Sequence, residues 1–200
     1  MTNKDLISQY VDTGIGIPRY QFDKLSSSDK KTYLRKIEIS IEQKPQNIEY
    51  YYSELPEEKK LALVQKDSSI IKYIKDPSEA VQMAAVNEDS YAIEYIQDPS
   101  EAVKIVAVKE DGNAIYYIQN PSEALKMLAV KSVANSIEYI QDPSEAVQLA
   151  AIENDVDAIQ YIQNPSEKVQ LAAIQQTGWA IRYIDNPTNR VKKLYKQLYG

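Results

Sequence analysis

The 200-residue chain has no cysteine and no histidine. Without cysteine there are no disulfides and no thiolate zinc sites, which suits a cytoplasmic location. Without histidine the commonest general base and the commonest transition-metal ligand are missing. Serine–histidine and cysteine–histidine catalysis are therefore excluded, and only carboxylate chemistry stays formally open. No apolar run approaches the roughly 18 residues of a membrane-spanning helix. The start, Met1-Thr2-Asn3-Lys4-Asp5, carries an acid and lacks a following apolar stretch, so it does not read as a secretory signal.

Positive charge is scarce in the middle of the chain. Residues 76–163 hold 16 acids against 4 lysines, whereas residues 1–75 carry a net +2 and residues 164–200 a net +4, within an overall charge of −6. An acidic middle repels nucleic acid and attracts a basic protein surface. The plainer reading of the same charge is a solvated outer face.

What the chain does have is a repeat. Asp/Asn-Pro recurs every 22 residues at Asp76-Pro77, Asp98-Pro99, Asn120-Pro121, Asp142-Pro143, Asn164-Pro165 and Asn186-Pro187. Behind each proline follows the pattern read at Pro99-Ser100-Glu101-Ala102-Val103, Ala107-Val108, Ala114-Ile115 and Tyr117-Ile118. A fixed period of this length signals a solenoid, each unit covering the apolar face of the next. Leucine-rich repeats fall in the same period range but need alternating leucines and a strand signal, absent here. A parallel β-helix is disfavoured by the alanines and by helix-capping chemistry in every unit.

Each unit reads as two short helices. Asp98 is the expected N-cap, Pro99 the first helical residue and Glu101 the partner completing a capping box. Val103 and Val106-Ala107 fall on one helical face, and the small alanines let helix axes approach. Glu110-Asp111-Gly112 or Glu153-Asn154-Asp155 breaks the chain and caps the second helix. That helix is brief, Ala114 to Ile118, ended by the coming proline, with Ile115 and Ile118 in the core. The fold class expected is all-α: a right-handed α-solenoid of short two-helix repeats with N- and C-terminal caps.

Three segments follow. Residues 1–54 form a nonrepeating cap plus a degenerate first repeat, 55–187 the tandem repeats and 188–200 a C-terminal capping helix. In the first, Asp12 to Pro18 reads as a turn, its Gly-Ile-Gly too short for a phosphate loop. Ser26-Ser27-Ser28-Asp29 opens a helix presenting Tyr33, Leu34, Ile37 and Ile41. A weak copy over residues 31–52 places Pro45 between its helices and Ile48-Glu49-Tyr50-Tyr51 in the second. Pro56 is displaced by one position from the repeat register. At the far end Val191, Leu194 and Leu198 form an apolar stripe, with Arg190, Lys192, Lys193 and Lys196 outside.

Copying turns each position into a row. Tyr73, Tyr95, Tyr117, Tyr139, Tyr161 and Tyr183 form one, expected to pack between units with hydroxyls reaching solvent or a cap; tyrosine is also favoured in binding hot spots. The carboxylate pairs Glu88-Asp89, Glu110-Asp111 and Asp155/Asp157 lack the dense oxygen spacing of a calcium loop, so no metal and no cofactor are expected. Variable slots hold the candidate partner-binding residues: Tyr91, Glu94, Tyr116, Glu138, Asp157, Trp179 and Arg182. Drift on a solvated face is the plainer account of them.

The stretch Asn164-Pro165-Ser166-Glu167-Lys168-Val169-Gln170-Leu171-Ala172-Ala173-Ile174, followed by Ala180-Ile181-Arg182-Tyr183-Ile184, resembles the short helical repeats of bacterial and bacteriophage proteins. It is more loosely similar to leucine-rich-variant and HEAT-like solenoids. The resemblance covers about residues 55–189. It implies a non-enzymatic binding scaffold and a phage origin, in which case a host enzyme or defence factor is the expected target of inhibition. It brings no catalytic residues. The partner expected is another protein with a basic patch, with no membrane and no direct contact with nucleic acid. A structural, self-assembling module and an acidic mimic of nucleic acid are the alternatives.

Overall fold

The structure, a computed structural model, describes residues 2–12, 17, 19–44, 47 and 55–200. The turn expected over residues 13–16 and 18, Pro45, and the helix expected over residues 48–51 lie outside the described residues. Among the described residues all regular structure is helical, with no strand. The protein is an all-α helical-repeat solenoid. It divides into two compact units: Met1–Glu88 with Tyr95–Asp98, and Asp89–Glu94 with Pro99–Gly200.

In the first unit the helix Asn3–Asp12 packs on the helix Ser27–Gln43. The latter begins where the sequence signals it: the Ser26 side chain accepts from the Asp29 amide. Tyr33, Ile37 and Ile41 are fully buried, one per helical turn. The Tyr33 hydroxyl accepts from the buried Ile17 amide at 2.9 Å. The first layer in the repeat pattern follows, a helix Glu57–Lys66 and a 3-10 helix Ser68–Tyr73. It packs on the helix Glu79–Glu88. Pro56 stands at the N-cap of Glu57–Lys66 and offers no side-chain bond.

The second unit is built of near-identical layers. Its α-helices are Glu101–Glu110, Glu123–Ser132, Glu145–Asn154, Glu167–Gln176 and Asn189–Tyr199. Each packs on the next. Between them run 3-10 helices, Gly112–Tyr117, Ala134–Tyr139, Val156–Tyr161 and Gly178–Tyr183, which also pack in sequence. The second helix of each repeat is thus a 3-10 helix. In Gly112–Tyr117, Ile115 is buried within the helix and Ile118 just past its end. Six-residue runs are long for a 3-10 helix, and burial against neighbouring layers sustains them. Ala107, Ala129, Ala151 and Ala173 are fully buried where the α-helices meet. At Gly112 the layers come so close that a Cβ would strike the Ala129 carbonyl oxygen.

The cap lies two residues later than the Asp/Asn-Pro signal suggests. Ser100, Ser122, Ser144 and Ser166 are the N-caps, each accepting from the amide three residues on. Thr188 does the same for the last helix. Asp76, Asp98, Asn120, Asp142 and Asn164 sit instead in left-handed backbone, with φ of 49° at Asp98 and Asn120 and 47° at Asp142. The following proline disfavours right-handed helix there, and Asp and Asn tolerate the left-handed region better than other side chains. Nor does the proline end the 3-10 helix: that stops at Tyr117, with Ile118 extended (φ −101°, ψ 115°). The proline acts at Asn120, two residues farther on.

With the cap at serine, the glutamate becomes the first helical residue and cannot close a capping box on its own helix. It reaches the next layer. The Ser122 hydroxyl donates to Glu101 at 3.2 Å, Ser166 to Glu145 at 2.6 Å and Thr188 to Glu167 at 2.6 Å. Ser144 donates to Glu123, and in the first unit Ser78 donates to Glu57. In each of these pairs one hydroxyl caps a helix and ties it to its predecessor.

Candidate partner-binding face

The 3-10 helices decide what faces solvent. Their start is set by an acid after the α-helix: Asp89, Asp111 and Asp155 each accept from the amide two residues on, at 2.9 Å. Alanine and isoleucine then turn inward (Ala114, Ile115, Ala158 and Ile159 are buried), and the residue before the tyrosine turns out. Glu94, Tyr116, Glu138, Gln160 and Arg182, in that slot, are all exposed. The variable positions lie on the surface because the invariant pattern uses the rest of the short helix for packing.

Aromatic rings join across layers on this surface. Tyr91 meets Tyr117 with ring centroids 5.9 Å apart and planes at 82°. Tyr117 meets Tyr116 at 4.9 Å and 86°, and Tyr116 meets Tyr139 at 5.3 Å and 71°. Edge-to-face pairs of this kind are favourable beyond the area they bury. Tyr116 is nevertheless 64% exposed, and Tyr91 and Tyr139 are also exposed. The Tyr91 hydroxyl donates to Asp111 at 2.8 Å. That bond, to a carboxylate that holds the next 3-10 helix, pushes the Tyr91 phenol above its ordinary range. Farther along, Trp179 packs edge-on against Tyr183 at 5.5 Å.

Beside the tyrosines run three clefts in repeat register. One, about 600 Å³, lies between Ile118-Gln119-Asn120-Pro121 and Tyr139 of the next layer. The second, about 610 Å³, lies between Ile140-Gln141-Asp142-Pro143 and Tyr161, with Glu138 on its wall. The third, about 670 Å³, lies between Ile162-Gln163-Asn164-Pro165 and Tyr183, with Arg182 and Asp185 on its wall. Tyr139, Gln141 and Asp142 line both the first and the second cleft, so these two adjoin. Gln163 links the second to the third.

The seven residues expected from the variable slots separate accordingly. Tyr91 and Tyr116 belong to the aromatic array, Glu138 and Arg182 line clefts, and Trp179 pairs with Tyr183. Glu94 is exposed. Asp157 is engaged through its own backbone, its amide donating to Asp155 and its carbonyl accepting from Gln160. It joins neither array nor cleft. Tyr117, Tyr139 and Asp142 do join, although their recurrence marks them as scaffold in the sequence. Tyr139, Tyr161 and Tyr183 each stand on the wall of a cleft. Among the described residues no three carboxylates gather into a site for a metal ion, and no helix is long and apolar enough to cross a membrane. Comparison with family models, with curated proteins and with solved structures gives no match to this chain.

Proposed function

We propose that this protein is a non-enzymatic scaffold that binds another protein through the tyrosine-bearing face and recognises a basic surface on it. The supporting observation is the edge-to-face array Tyr91–Tyr117–Tyr116–Tyr139, with Tyr91, Tyr116 and Tyr139 exposed to solvent within a stretch holding 16 acids and 4 lysines. Tyrosine rings offer large contact area with little side-chain entropy to lose. Their faces attract cations, and the surrounding carboxylates add long-range attraction to a positively charged partner. An inhibitor that occupies the basic groove of a host protein fits this reading.

The test is affinity capture from a host extract on the immobilised chain, beside a Tyr116→Ser, Glu138→Gln double variant. The reading expects basic proteins to be retained, released by salt and lost with the variant while circular dichroism is unchanged. Equal capture by both chains, or retention that ignores salt, overturns it. A second reading, self-assembly, is favoured by the α-helical surface, where Ile105 is exposed and Met127, Leu149 and Leu171 are half-buried in one row. Light scattering separates the two: a clean monomer removes self-assembly.

A further inference from the structure

The three clefts share one construction and one spacing. Each has the Ile-Gln-Asx-Pro loop of one layer on one side and the tyrosine of the next layer on the other. Stacked helices lie about 8–10 Å apart. An extended or polyproline chain advances about 3.1–3.3 Å per residue, so three residues cover about 9–10 Å. Three residues of extended chain therefore match one layer of the protein. A helix advances only about 4.5 Å in three residues and has no such match. Aromatic-lined clefts are also the surfaces on which polyproline segments dock.

Charge then distinguishes the clefts. The middle one carries Glu138 and Asp142 and no basic residue. The first shares Asp142 and has Lys126 on its wall, its Nζ donating to the Gln141 carbonyl at 3.2 Å. The third sets Arg182 beside Asp185. We propose that this ladder of clefts seats an extended basic segment of the partner, one side chain per layer at every third residue. Its strongest cationic anchor lies between Glu138 and Asp142. The proposal rests on the protein-binding reading above and names the form of the partner.

The repeats supply substitutions that alter charge without disturbing the scaffold. Asn already stands at positions 120 and 164 in the row of Asp142, and Gln at position 160 in the row of Glu138. Asp142→Asn with Glu138→Gln thus removes two charges using residues the same backbone accepts elsewhere. Arg182→Gln removes the opposing charge in the same way.

The probe is a fluorescent peptide of four Arg-Pro-Pro repeats, compared with one of equal composition whose arginines are contiguous, and titrated by anisotropy at low salt. The three-residue period should bind about tenfold more tightly, the size of one good contact. Asp142→Asn with Glu138→Gln should weaken it by a similar factor, and Arg182→Gln should strengthen it. Glu153→Gln, on the α-helical surface, should leave it unchanged. Equal binding of the two peptides, both weakened by the cleft variant, overturns the three-residue register and leaves the basic-partner reading standing. Absence of binding by either peptide, beside variant-sensitive capture of a basic protein, overturns the extended segment in favour of a folded surface. Tighter binding of single-stranded DNA than of either peptide overturns both readings.

Discussion

The helix Ser27–Gln43 and the repeat helices start with the same residue and use it differently. Ser26 accepts from the Asp29 amide, and its hydroxyl donates to the Asp29 carboxylate at 2.8 Å, so the bond closes within three residues. Ser144 also accepts from an amide of its own helix, but its hydroxyl donates to Glu123, 21 residues earlier. One cap is local and the other belongs to two layers. The cores differ in the same sense. The N-terminal region is held by contacts made once, such as Tyr33 to Ile17. The repeats are held by contacts made in every layer. A one-off contact stabilises its own neighbourhood, whereas a repeated one sets a nearest-neighbour stability that each layer shares.

The largest expected effect tests whether the layers are equivalent. Ile115→Ala and Ile137→Ala each remove a buried side chain from matching positions. Each should cost about 2–5 kcal/mol in urea unfolding, and the two costs should agree within about 0.5 kcal/mol. A wide gap between them breaks the equivalence of layers. Next comes Tyr33→Phe, which keeps the ring and strands the buried Ile17 amide; it should cost about 1–3 kcal/mol. No measurable loss would mean that the N-terminal region does not depend on that contact.

Smaller effects sharpen the contrast between the caps. Ser144→Ala and Ser26→Ala should each cost about 1 kcal/mol. A double-mutant cycle of Ser144 with Glu123 should show coupling of about 0.5–1 kcal/mol across layers. If Ser144 and Glu123 act additively, the serine caps its helix without joining layers.

The least effect is on acid sensitivity. The Ser166 hydroxyl bond lowers the Glu145 carboxyl below its usual range, opposed by desolvation and helped by Lys168. A carboxylate lowered in the folded state stabilises above its unfolded pKa, and that contribution is lost as pH falls through the folded value. Carbon-detected NMR should therefore show Glu145 titrating at higher pH in Ser166→Ala. Asp29 is lowered first by Asn3 and then by Ser26. Ser26→Ala should accordingly move Asp29 only part of the way. A full return to the ordinary value at Asp29, or none at Glu145, would erase the distinction between the two caps.

Much of the scaffold is legible in the amino-acid sequence. The 22-residue period, the buried Ile115 and Ile118, the inward alanines and the Ser26 helix start all follow from residue type and spacing. The cap register does not. In Asp-Pro-Ser-Glu both Asp98 and Ser100 are good N-caps, and local propensity ranks them nearly equally. The choice falls to the turn, which needs the left-handed backbone that Asp and Asn tolerate. The glutamate's partner is hidden for a related reason: two chemistries, a capping box and an interlayer bond, share one motif. On the binding face, Tyr91, Tyr116 and Trp179 stand out as departures from their rows. Tyr139 and Asp142 do not, because nothing in a repeated residue says whether its copies face the core or a cleft.

The amino-acid order alone determined that this chain is a stack of short helical layers, because periodic apolar spacing and punctuation by proline admit little else. Only the tertiary structure decided that the second helix is 3-10, that serine caps and glutamate ties, and that tyrosines and Asx-Pro loops enclose clefts. The ties and the clefts depend on contacts between residues about 20 apart, which arise only when one layer closes on the next.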